Sequence, residues 1–450
     1  MKALLCALLS VCLVLSGGVA NAQSHLIGGQ ASGRSIALAE AARGVPLSLA
    51  AAIDESLRRN ADLEVSRRQV EPLRVRPTQA RALMPPRLEA QIWQWPVNTL
   101  NPSNTNMFMF MASQDLPGRG KRAASTALAE AEIRVAEANV KSRERDVIKA
   151  VTETYWDLFA ARRAISTHIE SVDFLNQMAD MAQAKYAAGR AAQKDVLKTI
   201  VEATKVHEEL VDLERAAKQA SIHLNALLNR SSDSPVGAVA EPEETTLQGS
   251  LDDLQAIAAR EQPDLRAVRL DVDRARAESV VAQSATAPDW SVGAGYMLQP
   301  RQTDAWLAQV SVSWPRAPWS RKGIEARGAE ARAALSVTEA EAAARVVRVR
   351  TAISDAYSNV KAAEERAALL RTVLIPQSRQ AVDVARIGYQ TDRTDVLSLI
   401  DDERTLLQAQ LMYARALVEW RRAVADLERA VGSSLAPAVF KVTLANEAAR

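Results

Sequence analysis

PRLEAQIWQWPVNTLNPSNTNMFMFMASQDLPGRGK, residues 86–121, is the stretch whose reading decides the fold. Two runs, at about 87–97 and 106–116, have the apolar and aromatic content of strands. A polar turn rich in Asn and Pro joins them, and a Gly-rich corner follows. A second version, PDWSVGAGYMLQPRQTDAWLAQVSVSWPRAPWSRK, stands at 288–322, with strands expected at about 289–299 and 304–315. Almost everything outside these ribbons carries helical spacing. The chain therefore reads as two copies of a helix–hairpin–long-helix unit.

The second ribbon alternates most cleanly. Trp290, Val292, Ala294, Tyr296 and Leu298 share one face, and Ser291, Gly293 and Gly295 the other. Its partner sets Trp306, Ala308, Val310, Val312 and Trp314 against Gln309, Ser311 and Ser313. Such alternation over roughly ten residues is the pattern of a transmembrane barrel strand, although a half-buried strand of a soluble sheet alternates too. Tryptophan decides between them. Six of the eight (Trp93, Trp95, Trp290, Trp306, Trp314 and Trp319) lie in or beside the four strands, where a membrane aromatic girdle would put them. Aligned on the second ribbon, Phe108 and Phe110 fall on the lipid face, and Met107, Met109 and Met111 on the lumen face.

Lys2, the apolar run from Ala3 to Leu15, and Ala20-Asn21-Ala22 read as a secretory signal peptide over 1–22. Cys6 and Cys12 both lie inside it, so the exported chain is expected to carry no thiol. Val11 before Cys12 makes a poor lipobox, and no lipid anchor is expected. No other stretch approaches the roughly 18 consecutive apolar residues of a membrane helix, which leaves the strands as the spanning material. The 56 basic and 54 acidic residues nearly balance without a basic block, so nucleic acid is not an expected partner. A composition rich in Ala, Leu, Glu, Arg and Val suits long packed helices.

In order, a small and polar N-terminal arm at 23–46, expected to be extended or loosely ordered, leads to a first repeat at 47–230. Its first helix is expected from Leu47 to about Met84, ended by Pro85-Pro86. A proline-free helical run from Lys121 to Ala188 would reach about 100 Å. It breaks at Gly189, which suits a left-handed cap, and a helix resumes near Asp195. A Ser/Pro/Gly/Glu linker at 231–246 separates a second repeat at 247–432, and a tail at 433–450 reads as irregular. The copies match at ordered points: Asp62-Leu63 with Asp264-Leu265, Pro86 with Pro288, Glu153-x-Tyr155 with Asp355-x-Tyr357, and Asp195-Val196-Leu197 with Asp395-Val396-Leu397. Pro376 is the difference that should kink or break the second long helix.

Four strands cannot close in lipid without leaving backbone groups unpaired, so several chains must share one barrel. Two chains would give about eight strands, which fill their own interior; a conduit favours three or more. The duplicated unit, the corner DLPGRGKR (115–122), and the paired turns Tyr186-x-x-Gly189…Asp195-Val-Leu and Tyr389-x-x-Asp392…Asp395-Val-Leu resemble the TolC-type outer membrane efflux family over nearly the whole chain from Leu47 to Gly432. The corner and the second turn, GYQTDRTDVLSLIDDERTLLQAQLMYARAL (388–417), are most similar to its heavy-metal branch, the CusC- and CzcC-like proteins. The resemblance implies a mostly α fold with a membrane β-barrel: a homotrimer with a twelve-stranded barrel on a long helical tunnel. It implies a passive exit duct in the outer membrane of a Gram-negative bacterium, its helices in the periplasm, docked to a periplasmic adaptor and an inner-membrane pump of the resistance-nodulation-division type. Heavy-metal cations are the implied cargo. A multidrug or type I secretion duct of the same fold, or a non-conducting periplasmic coiled-coil scaffold, are the competing readings.

The resemblance also places acidic residues at the turn between the last long helices, where they narrow the tunnel and favour cations. Asp395 matches the first of these. The second falls on Ser398, which is not acidic, while Asp392 takes the place of the usual glycine. Asp395 and Asp392, with Arg393 nearby, are the expected periplasmic gate; Asp395 also suits a helix cap, and the roles are compatible. Gly189, Arg190, Lys194 and Asp195 are expected to support the first turn or meet the adaptor. Met107, Met109 and Met111 suit soft ions such as Cu(I), though packing inside a narrow barrel is the reading favoured by sequence. His25, His168, His207 and His223 show no ligand spacing, and no nucleophile–base pair or phosphate loop is present. Neither an enzymatic activity nor a cofactor is expected.

Overall fold

The computed structural model describes residues 35–99, 101, 104–242, 245–300, 302–435 and 440–442. The expected signal peptide, the arm before Ser35, and His25 lie outside them. The described arm is not extended: it forms helix α1 (Ile36–Arg43), capped by the Ser35 hydroxyl, which accepts the Leu38 N–H. Its Ala37 is buried against Ala161, Ile165 and Ala217 of two longer helices, and that packing overrides the weak local signal.

The single helix expected over 47–84 is three: α2 (Leu49–Arg59), α3 (Ala61–Arg68) and α4 (Glu71–Arg81). Asn60 makes the first break. Its side chain accepts the Leu63 N–H at 3.1 Å and donates to the Leu227 carbonyl at 3.0 Å, capping α3 while tying it to the end of a distant helix. Pro72 opens α4 in the first turn, where no ladder donor is lost, and Pro77 sits within it and removes one.

Strands β1 (Arg87–Trp93) and β2 (Met107–Leu116) lead to α5 (Lys121–Ala187), whose 67 residues span about 100 Å. Helix α6 (Gln193–Leu227) returns beside it. The second copy follows as β3 (Thr245–Leu247), α7 (Leu251–Glu261), α8 (Pro263–Ser284), β4 (Trp290–Leu298), β5 (Ala305–Val312), α9 (Arg321–Leu369), α10 (Ile375–Gln390) and α11 (Val396–Val431). Between α9 and α10 a π-turn, Leu370–Leu374, comes directly before Pro376. Proline cannot donate to the i−4 carbonyl, so the ladder widens for one turn and the helix continues. The tail also has order, because β6 (Phe440–Val442) pairs antiparallel with β3 beside the linker.

The ribbons join into one antiparallel sheet in the order β1-β2-β4-β5. The first and last strands are shorter than expected, ending at Trp93 and Val312, so Trp95 and Trp314 lie beyond them. Repetition reaches the ion pairs. Arg143 meets Asp62 at 3.0 Å and Arg345 meets Asp264 at 2.7 Å, each arginine 81 residues beyond its aspartate. In the second copy the site is buried, and Ser142 and Arg429 join it. Burial alone would push the Asp264 carboxyl up; Ser142, Arg429 and Arg345 outweigh it and hold the carboxyl below its usual range.

Tyr155, Leu158, Leu224, Ile353, Trp420 and Leu427 belong to one core that crosses both copies. Burying each such side chain is worth about 1.5–3 kcal/mol. The buried Tyr155 hydroxyl donates to the Leu47 carbonyl and accepts the Ala240 N–H, both at 2.8 Å, while Arg162 donates to the Val236 carbonyl at 2.8 Å and to that of Gly237 at 2.6 Å. Two polar side chains of α5 thus hold the linker and the entry to α2. Tyr155→Phe takes this partner from the buried Leu47 carbonyl and from the Ala240 N–H, and should cost about 1–3 kcal/mol. Thermal unfolding followed by circular dichroism checks this; an unchanged midpoint would show that the tether carries nothing.

Candidate functional site

The hairpin tips lie side by side at the end of the helices remote from the sheet. In the first, Gly189 has φ +73° and the Arg190 N–H returns to the Lys185 carbonyl at 2.8 Å. In the second, Asp392 holds the same left-handed position with φ +58°, and the Arg393 N–H returns to Gly388 at 2.8 Å. Both are helix-ending turns of the kind glycine favours. An aspartate occupies one because it has a partner.

That partner is Lys185, at the end of α5. Its ammonium donates to the Asp392 carboxylate and to the Tyr389 carbonyl, and lies 4.2 Å from the centre of the Tyr389 ring. The hydrogen bond from Lys185 holds the Asp392 carboxyl below its usual range, with a smaller contribution from Arg190. Asp395 caps α11: it accepts the Ser398 N–H at 3.0 Å and the Ser398 hydroxyl at 2.7 Å, which depress its carboxyl, and Lys194 adds to this. Asp195 lies in the first turn of α6 and accepts the Ala192 N–H at 3.3 Å. Burial, followed by the charges of Asp195 and Asp392, pushes the Tyr389 phenol up. The structure therefore brings the two acidic residues of the second tip against the cations of the first. Lys185 and Tyr389 are the members that sequence reading left without a role. The available signal was the mismatch of Lys185 with Gly388 when the copies are aligned.

Behind the tips, Leu175, Met178, Val382, Leu399 and Leu407 form an apolar core. Glu403 of α11 is buried beside it, 7 % exposed, and accepts the Ser171 hydroxyl at 3.0 Å. Burial pushes its carboxyl up to about 7. Nearer the surface, Arg404 grips Glu202 of α6 at 3.0 Å. Burial would raise the Glu202 carboxyl, but the guanidinium holds it below the usual range. His168 is buried and bonds the Ala164 carbonyl and Glu209, a structural role.

At the other end, register assigns the faces of the sheet. Phe110 opposes Ala90 and Tyr296, and Tyr296 opposes Trp306; Trp290 opposes Leu116 and Val312. This apolar face is turned outward, with Leu88 81 %, Trp306 80 % and Val310 69 % exposed. The opposite face carries Gln91, Met109, Ser113, Ser291, Gly293 and Gly295, half-buried or buried on β2 and β4 and exposed along β1. Apolar side chains thus gather on one face, and polar, small and sulfur-bearing ones on the other. Trp290 and Trp306 lie on the apolar face, whereas Trp93 opposes Met107 on the other. Trp314 and Trp319 stack edge to face below β5, their ring centres 6.1 Å apart.

The Gly-rich corner locks the sheet to the helices. A side chain at Gly118 would come within 2.5 Å of the Pro288 carbonyl oxygen. The Gly118 N–H and the Lys121 ammonium both donate to Asp289, at 2.7 and 2.8 Å. Among the described residues no helix is long and apolar enough to cross a membrane, and no group of His, Cys, Asp or Glu is placed to hold a metal ion.

A sheet with its apolar face outward, mounted on long antiparallel helices, defines an outer membrane channel subunit. The family model described as outer membrane efflux protein matches residues 52–230 and again 255–433, and the chain belongs to that family. It is 25% identical over 397 residues to the cobalt-zinc-cadmium resistance protein CzcC of Cupriavidus metallidurans, covering 86% of this chain and 90% of that one. Among solved structures, CusC superposes with a TM-score of 0.74 at 15% identity, covering 87% of this chain and 94% of that one. The outer-membrane channel OprN superposes at 0.71 with 21% identity, over 86% and 90%. The protein is a channel of the outer membrane efflux class and not an enzyme.

Two outcomes are expected at the tips. Lys185→Met removes the tie between the copies and should raise single-channel conductance in planar bilayers; conductance equal to the parent would mean the tips are held otherwise. Glu403 has a folded pKa above its ordinary value of 4.5, so its protonation favours the packed state. Its stabilising contribution is full below about 4.5, declines as pH rises to about 7, and is absent above. Glu403→Gln should flatten that dependence and stabilise the helices at pH 8 by about 3 kcal/mol. Parallel melting curves of both chains at pH 5 and 8 would contradict this.

Proposed function

We propose that the chain is the exit duct of a tripartite metal-efflux assembly. Three copies would close one twelve-stranded barrel on a helical tunnel, β5 of one copy pairing with β1 of the next. The outward apolar face of the sheet carries this reading, because an edge left open in hydrocarbon leaves backbone donors and acceptors unpaired. Three-fold repetition would turn Asp392 and Asp395 into rings of carboxylates at the periplasmic mouth, a cation-selective constriction. The charges of Lys185 and Arg190 temper Asp392, which leaves Asp395 as the stronger determinant.

Metal cations are favoured as cargo by the similarity to a cobalt-zinc-cadmium resistance protein together with those acidic tips. A periplasmic adaptor and an inner-membrane pump of the resistance-nodulation-division type would supply the driving force to this passive duct. The adaptor has a surface to meet beside Gly189, Arg190, Lys194 and Asp195: a groove of about 650 Å³ between α6 and α11, lined by Leu197, Val201 and Leu397.

A deletion strain complemented with this chain should regain tolerance to cobalt, zinc and cadmium, with no change toward dyes and antibiotics; the reverse pattern would make it a multidrug duct. Asp395→Asn keeps the acceptor that caps α11 and removes only the charge. It should lower cation selectivity in bilayers without lowering thermal stability, and unchanged selectivity would remove Asp395 from the gate.

A further inference from the structure

Met107, Met109 and Met111 alternate along β2, and strand pairing brings a fourth methionine to the same face. Met297 on β4 stands directly opposite Met109. Its diagonal neighbours across that pair are Met107 and Met111, so one thioether faces three. Opposed side chains in an antiparallel pair start about 5 Å apart at Cβ, and diagonal neighbours about 7–8 Å apart remain within reach of long side chains. Four of the nine methionines of the chain thus meet in one patch, with Trp93 opposite Met107 and Ala305 opposite Met297 at its margins. Gly295 opposes Met111 and leaves that side of the patch without a competing side chain, while the carboxylate-bearing Glu89 opposes Met111 from β1.

We infer that Met107, Met109, Met111 and Met297 form a binding site for a soft monovalent cation of the Cu(I) or Ag(I) class. Thioether sulfur is a neutral, polarisable donor that selects such ions, whereas divalent zinc, cobalt and cadmium are held best by imidazole, carboxylate or thiolate. Among the described residues no cluster of imidazole, carboxylate or thiolate donors exists. Met109 and Met297, directly opposed, are the central pair of donors, since each neighbours the other three. Glu89 adds a negative charge beside the patch, which draws a cation toward it. The assignment rests on the reading of this face as the lumen, and it would place a stop for soft ions along the conduit.

The test is silver binding to the purified full chain in detergent and chloride-free buffer, read by calorimetry and by metal content after desalting. The parent should retain silver, and M107L/M109L/M111L/M297L should bind it at least about tenfold more weakly. M297L alone should lose more affinity than M107L or M111L, and M412L, at a methionine far from the patch, should lose none. Comparison with the parent cancels any other soft donor, Cys6 and Cys12 included. Excess zinc should not displace the silver. Equal binding by parent and quadruple variant, or displacement by zinc, overturns the site; should the quadruple variant fail to fold, an unchanged M297L does the same. Susceptibility of the complemented strain separates the two proposals: a chain that binds silver here yet restores no metal tolerance keeps the site and loses the metal duct.

Discussion

Unpaired backbone at the two edges of a four-stranded sheet is the constraint on which the rest of this architecture depends. Strands β1 and β5 each have one neighbour in the chain, and the apolar face they border is turned outward. In water such a sheet would be a liability on both counts, exposed in its side chains and in its edges. In hydrocarbon, the side chains are satisfied and only the edges remain. The proposed pairing between copies resolves those edges. It also gives a use to the apolar side chains, such as Val337 and Val347 of α9, that a single chain leaves exposed.

The two copies share a plan and differ where they meet. Matched aspartates receive matched arginines at equal spacing, but only the Asp264 site is buried and enlarged by Arg429, a residue of α11. At the tips, a glycine and an aspartate occupy equivalent left-handed positions, and Lys185 reaches across to make the aspartate tolerable. Duplication supplies the frame, and these departures from it supply the contacts between halves. The acidic tip is thereby tied into the structure, not displayed on a free loop.

Polarity is distributed by a similar logic along the length. Near the tips a buried carboxyl, Glu403, sits beside an apolar cluster and accepts the Ser171 hydroxyl. At the level of the linker, Tyr155 and Arg162 spend their polar atoms on backbone groups that cross from one copy to the other. In the sheet one face is polar and sulfur-bearing. Each of these sites lies where elements distant in sequence come together, and only the alternating methionines of β2 have a local motif to announce them.

How much could be read from the chain alone follows from the range of the interactions. Period-two alternation around Trp290 and Trp306, helical spacing after Lys121, and the repeat of Asp-Val-Leu after each turn are local signals, and they determine the strands, the long helices, the duplication and the membership of the efflux family. Asp395 as a cap and Gly189 as a left-handed turn are likewise decided within a few residues. Asn60, by contrast, divides the expected first helix because its amide meets the Leu227 carbonyl, and the tail becomes a strand because β3 is there to pair with it. Lys185 against Asp392, Met297 against the β2 methionines, and Trp93 opposite Met107 depend on register and on helix packing. Sequence determined the elements and their faces, since backbone geometry sets those periods; only the tertiary structure decided which faces meet, because that choice is made by packing across hundreds of residues.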